Sequence, residues 1–188
     1  MPEPIPDKTI EKAIAGDTLA FRRIAEHVQS IGYSVAFRFT GNVAEAEDIL
    51  QESFIKLWKN LRRYRREVKL TTWFYTIVTN QSLDYLKSRQ GKLRLKMKAT
   101  DDHLPGMHAA DEDHDRQELM NAIRDATETL TPKQRAVFIL RDLEGLPVEE
   151  VEVILAMTPG NIKSNLFHAR RCVGETLKKI YGEKPTLL

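Results

Sequence analysis

The chain has 188 residues, 41% hydrophobic and 30% charged, which suits one large domain or two small ones. Its only cysteine, Cys172, excludes an intramolecular disulfide, and no apolar run is long enough to span a bilayer. The net charge of +2 hides blocks: residues 1–55 sum to −4, 56–98 to +11, 99–118 to −6, 119–158 to −3 and 159–188 to +4, so two basic blocks alternate with acidic ones, a pattern that points to two nucleic-acid contacts.

Period-two alternation is almost absent, and nearly every periodic stretch reads as helix, so the predicted class is all-α. Met1-Pro2-Glu3-Pro4 does not resemble a secretion signal, and a cytoplasmic protein is expected. After the prolines a short helix over 8–15 stops near Gly16. Asp17 caps a long one whose apolar positions are Leu19, Ile24, Val28, Ile31 and Val35. Gly41-Asn42 breaks it. A third helix over 44–61 is expected to bury Ile49, Leu50, Phe54, Leu57 and Trp58, and a fourth spans 70–89.

Residues 91–115 lose the pattern and turn acidic, which reads as a flexible linker between domains at 1–90 and 116–188. His103, His108 and His114 lie in it at spacings that match no compact metal motif, so neither a metal nor another cofactor is expected. Helices resume over 116–129 and 132–143, the latter opened by Thr131-Pro132 and closed at Gly145.

Residues 147–171 form a helix, a tight turn at 156–159 and a second helix. The first buries Val148, Val151, Ile154 and Leu155, and the second buries Ile162, Leu166 and Ala169. Asn161, Lys163, Ser164, Asn165, His168, Arg170 and Arg171 are then free for base edges and phosphates, and the helix start near Thr158 can hold a phosphate. This is a helix-turn-helix reader.

The basic block supplies the second signal. Between Lys56 and Lys98 stand thirteen Lys or Arg against two acids, Glu67 and Asp84, with Trp73-Phe74-Tyr75 in their midst. Cations interleaved with aromatics can grip a phosphate backbone and offer flat faces to unstacked bases.

Two blocks together resemble a known family. Residues 46–54 (AEDILQESF), followed by 70–80 (LTTWFYTIVTN) and Leu83-Asp84, are similar to region two of bacterial extracytoplasmic-function sigma factors. Residues 130–135 and 140–145, with the helix-turn-helix, are similar to their region four. The resemblance implies an alternative sigma factor, not an enzyme: a dissociable subunit of RNA polymerase. Region two would dock on the clamp helices of core polymerase and capture the melted minus-ten element. Region four would bind the flap and read the minus-thirty-five element of promoter DNA. It also implies an anti-sigma protein as partner. The alternative is a stand-alone helix-turn-helix regulator.

Within that frame Asp48, Gln51 and Glu52 share one exposed helix face suited to core polymerase. Arg62, Arg63, Arg65, Arg66 and Lys69 would contact phosphates. Thr76, Asn80 and Lys87 would meet a flipped base and its backbone. Tyr75 is expected nearer the exposed side, and Trp73 is either a core anchor or a stacking wedge. The family usually has Ala where Glu152 stands and Gly where Ala156 opens the turn, and its second helix often carries Thr and Arg at Asn161 and Asn165.

Overall fold

The computed structural model describes residues 5–97 and 122–181. It is all-α, as expected. The first helix, α1 (Asp7–Ile14), is followed by α2 (Thr18–Thr40), α3 (Val43–Asn60) and a 3-10 turn at Leu61–Arg63, and then α4 (Leu70–Met97). After the gap come α5 (122–128) and α6 (Pro132–Phe138), which continues into a π turn at Ile139–Leu143; α7 (Val148–Leu155) and α8 (Pro159–Tyr181) complete the chain. The metal-site reading of His103, His108 and His114, and the linker reading of 98–115, fall outside the described residues.

Local chemistry sets the boundaries. The Asp17 carboxylate accepts from the backbone N–H of Leu19 and Ala20, at 2.9 and 3.1 Å, and so caps α2. Gly41 ends that helix in the left-handed region, at φ 66°, and Asn42 caps α3 through Glu45 N–H. Thr131 and Gln134 form a reciprocal capping box at α6, with Pro132 in its first turn. One boundary differs from expectation. Helix α4 runs through Gly91 to Met97, because an internal glycine costs only about 1 kcal/mol and the surrounding Lys, Leu and Arg are good helix formers.

Helices α1–α4 pack around Ile24, Val28, Leu57, Leu61 and Phe74, all fully buried or nearly so. Each such aliphatic side chain contributes about 1.5–3 kcal/mol relative to exposure. Two positions expected inside stay near the surface: Leu19 is 70% exposed and Trp58 37% exposed, Trp58 edge-on to Phe21 at 4.7 Å. Period-based reading placed Leu19 on the apolar stripe, but in the first turn of α2 it is Ala20 that is buried and Leu19 that faces out.

A second apolar cluster crosses from the first helices to the last. Val35, Ala36, Phe39, Tyr75 and Val78 of α2 and α4 share it with Val137, Ile139, Leu140, Val151, Ile154 and Ile162. Ala126, Leu130, Phe138, Ala169 and Val173 make a third, within α5–α8. The helices on either side of the gap therefore meet across a closed contact rather than only through chain connectivity.

Candidate polymerase and nucleic-acid interfaces

Helix α3 presents Asp48, Gln51 and Glu52 on one exposed face while Ile49, Leu50 and Leu57 are buried. Asp48 and Gln51 point to solvent with no bond of their own among the described residues. Glu52 is tied inward: the Gln81 amide of α4 donates to its Oε2 at 2.6 Å, and the Gln81 carbonyl accepts from Lys56 Nζ. Gln81 itself is buried, so the acidic face of α3 is pinned to α4 one residue past Asn80.

On α4, Asn80 and Lys87 are exposed and Thr76 is half-buried, on one side of the helix. Lys87 pairs loosely with Asp84 at 3.2 Å, and the Thr76 hydroxyl donates to Thr72 C=O. Phe74 and Val78 face inward, as expected. Trp73 packs against the apolar cluster, as a core anchor would, but is only half-buried, and its ring lies 5.2 Å from that of Tyr64. The Tyr64 hydroxyl donates to Val68 C=O at 2.8 Å, and burial, with Asp7 nearby, raises its pKa. That bond folds the 64–69 loop over the start of α4.

The arginines of this loop divide. Arg62, Arg63 and Arg65 are exposed. Arg66 reaches back to α1, where it meets Glu11 at 2.6 Å and Asp7 at 3.3 Å; the Glu11 hydrogen bond, then Asp7, raises its pKa. Being fully solvated, this pair adds little to stability.

Tyr75 and Lys69 depart from the expected placement. Tyr75 is only 7% exposed, inside the contact with the last helices, where its hydroxyl donates to Glu144 Oε2 at 3.2 Å. Burial, and next the Glu144 carboxylate, push its pKa well above the usual phenol value. Helical periodicity on α4 alone could not reveal that α6 and α7 cover this side. Lys69 Nζ sits 2.8 Å from Glu150 Oε1, and the Thr72 hydroxyl donates to Glu150 Oε2 at 2.9 Å. Burial raises the pKa of Glu150, but the bonds from Lys69 and Thr72 outweigh it and the net shift is downward.

The helix-turn-helix is formed as expected by α7, a turn and α8. Val151, Ile154 and Ile162 are buried in one cluster, while Ala169 packs with Ala126, Leu130 and Phe138. Ala156 turns the chain in the left-handed conformation, at φ 50° and ψ 47°, without being glycine. Thr158 accepts from Asn161 N–H at 3.4 Å and caps α8. Asn161, Lys163, Ser164 and His168 are exposed along it; Asn165 is half-buried, its amide donating to Asn161 C=O at 2.8 Å. Glu152 is accommodated at the edge, half-exposed, so its charge stays out of the α7–α8 core.

Arg170 was read as a free phosphate contact, but it makes a bidentate pair with Asp142 of the π turn, at 2.7 and 2.6 Å. The bond to Asp142 raises its pKa. Arg171 leans toward Glu175 at 3.7 Å. Cys172 is half-buried beside the Thr129 hydroxyl at 3.2 Å, a packed thiol.

Residues 24–92 match the family described as Sigma-70 region 2, and residues 120–173 match Sigma-70, region 4. The chain is 30% identical over 163 residues to the ECF RNA polymerase sigma factor SigE of Mycolicibacterium smegmatis, covering 85% of this chain and 62% of that protein. To SigW of Bacillus subtilis, an ECF RNA polymerase sigma factor, it is 27% identical over 92% of this chain and 97% of the relative. The chain belongs to the sigma-70 family, in its extracytoplasmic-function group.

Among solved structures, region 2 and region 4 together resemble the sigma factor RpoE of Bartonella quintana in complex with the anti-sigma factor NepR. The TM-score is 0.67 at 23% identity, over 84% of this chain and 96% of that one. CnrH in complex with the cytosolic domain of CnrY gives 0.68 at 16%, over 91% and 96%. At these identities the likeness establishes the fold.

Sequence reading missed Ser34, Arg38, Gln81, Glu144 and Glu150. Thr72 and Glu144 lay inside the quoted motifs, but nothing in their local pattern names a partner some 70 residues away.

Proposed function

We propose that the protein is an alternative sigma factor that binds core RNA polymerase and directs initiation at particular promoters. One observation carries this reading: region 2 and region 4 matches stand in that order on one chain. A stand-alone helix-turn-helix regulator would have no need of region 2. In this reading residues up to about 90 and those from 116 onward act as separate functional domains. Asp48, Gln51 and Glu52 dock on the clamp helices. Arg62, Arg63, Arg65 and Arg66 hold backbone, and Trp73, Thr76, Asn80 and Lys87 meet the opened minus-ten strand. Thr158, Asn161, Lys163, Ser164, Asn165, His168 and Arg171 read the minus-thirty-five duplex, while the flap takes another face of region 4.

The work is done in the cytoplasm; among the described residues no helix is long and apolar enough to cross a membrane. An anti-sigma protein that covers the polymerase-binding faces fits the same reading, since RpoE of Bartonella quintana is solved in complex with the anti-sigma factor NepR. The test is initiation by purified protein with core enzyme, the transcripts being sequenced from their 5′ ends. Asn80→Ala should weaken promoter opening and spare core binding. Asp48→Ala with Gln51→Ala should weaken competition for core enzyme in the absence of DNA. Failure of the wild-type chain both to bind core and to start specific transcripts sinks the reading.

A further inference from the structure

Helix α3 carries an acid and a base one turn apart, Glu52 and Lys56, in the order that ordinarily lets two such side chains pair directly. Both are exposed, yet among the described residues neither is bonded to the other. The Gln81 side chain of α4 stands between them instead. Its amide nitrogen donates to Glu52 Oε2 at 2.6 Å, and its amide oxygen accepts from Lys56 Nζ. Gln81 is 7% exposed, so packing as well as its two charged partners holds the amide. Ser53, next to Glu52, is buried too, but its hydroxyl donates to Ile49 C=O at 2.7 Å and leaves the amide to the charged pair.

An amide serves this pair in one orientation only. Turned round, it would set N–H groups against an ammonium and an oxygen against a carboxylate. Hydrogen bonds to charged groups are the strong ones, so both ends resist that flip. An apolar side chain at 81 would offer neither end a partner, and a charged one would match one end and repel the other. The consequence lies at the surface of α3. Glu52 spends one oxygen on Gln81, while its Oε1 holds no bond among the described residues. Its carboxylate is fixed in place yet half free, on the face that also carries Asp48 and Gln51.

We propose that Gln81 is a positioning residue for polymerase docking: its amide wedges Glu52 and Lys56 apart, so that Lys56 does not neutralise Glu52 and the free oxygen stays available to a cation on core polymerase. The inference rests on the sigma-factor reading, in which Glu52 docks, and adds a residue on the helix behind that face. Gln81 acts through Glu52, as a buried support that locks the rotamer of a contact residue.

The test is competition of the full chain for core enzyme without DNA, against a labelled wild-type chain at low ionic strength, where exposed pairs count most. Gln81→Leu lets Glu52 and Lys56 close on each other and should weaken docking roughly twofold, about what an exposed pair of this spacing can withhold. Lys56→Met alone should leave docking nearly unchanged. Combined with Gln81→Leu it should restore most of the loss, because the cation that captures Glu52 is gone. In a Glu52→Gln background, Gln81→Leu should have no further effect. Gln81→Asn keeps an amide but withdraws it by one methylene. It should repeat both the loss and its reversal, so the result does not hang on how leucine packs at 81.

Wild-type docking by both Gln81 variants overturns the inference. So does a loss that Lys56→Met fails to reverse, because a merely structural role for Gln81 would persist without the cation. A loss that persists without the Glu52 carboxylate overturns it as well. Core binding and promoter-directed initiation are measured on the same wild-type preparation. Absence of both sinks the sigma reading, whereas flat results for variants of a chain that does bind core sink only the role of Gln81.

Discussion

Gly32 of α2 faces the ring of Phe74 of α4 so closely that a Cβ on it would stand 2.7 Å from Phe74 Cε1 and 2.6 Å from Leu50 Cδ1. Phe74 is fully buried and stacks on Phe54 of α3 at 5.5 Å between centroids, so the Phe74 ring is confined on both sides. Gly32 therefore lets three helices of region 2 come together beneath the face of α3 that carries Asp48 and Gln51.

Gly32→Ala should destabilise the protein by about 1–3 kcal/mol, the cost of overpacking a filled core. Alanine is the better helix former by about 1 kcal/mol, which offsets part of it. Urea unfolding followed by circular dichroism measures the balance. A neutral or stabilised variant would mean that α2 and α4 can separate without loss.

Ala156 holds a left-handed turn that suits glycine. A non-glycine residue there costs roughly 1–2 kcal/mol, and its side chain is exposed, so little packing is forfeited on removing the methyl group. Ala156→Gly should raise stability by about 1 kcal/mol and leave the α7–α8 angle as it is. Thermal unfolding of region 4 would register it as an upward shift, and a downward shift would refute the strain argument.

Much of this was legible in the sequence because it is local. The caps at Asp17 and Thr131, the break at Gly41-Asn42, the stop at Gly145 and the buried stripe of Ile24, Val28 and Val35 follow from side-chain chemistry and helical spacing within one turn or two. The helix-turn-helix was likewise visible from Val151, Ile154 and Ile162. Tyr75 was misplaced, and the partners of Lys69 and Arg170 were missed, for the opposite reason. Each answers to an acid distant in sequence, and an exposed cation on a helix looks the same whether it awaits a phosphate or already holds Glu150 or Asp142. Trp58 shows the limit from the other side: its spacing fits the core of α3, but the ring meets Phe21 of α2 edge-on and stays 37% exposed.

The closed contact should depend on pH in a defined direction. The pKa of Glu150 is lowered in the fold, so its contribution is complete above the ordinary carboxylate value, about 4.3, and is lost as pH falls through the lower folded value. Lys69 and Tyr75 both have raised values. Their contributions are complete below the ordinary lysine and phenol values, about 10, and are lost as pH rises beyond that. Closure measured by scattering should thus be flat from about pH 5 to 9, loosening in acid and in strong alkali. Opening within that neutral range would show that these bonds do not hold the halves together.

The reader helix α8 separates sequence preference from support. On the proposed reading Asn161, exposed one turn into the helix, and Asn165, whose amide leans on Asn161 C=O, contact base edges. Alanine at either should relax preference at one promoter position by roughly 1–3 kcal/mol per lost base contact. Arg170 should behave differently, since its Nε and Nη2 are both bonded to Asp142. Arg170 is 59% exposed and Asp142 20%, so solvent screens much of the pair and Arg170→Ala should cost about 1 kcal/mol of stability. It should weaken duplex binding evenly across sequences, and only through loss of the α8–π-turn brace. Asp142→Ala should reproduce the same even loss, because it breaks the same brace from the other side. Measuring binding of both variants to a set of single-substitution minus-thirty-five duplexes decides the matter: a preference change confined to Arg170→Ala would place that guanidinium on the DNA after all.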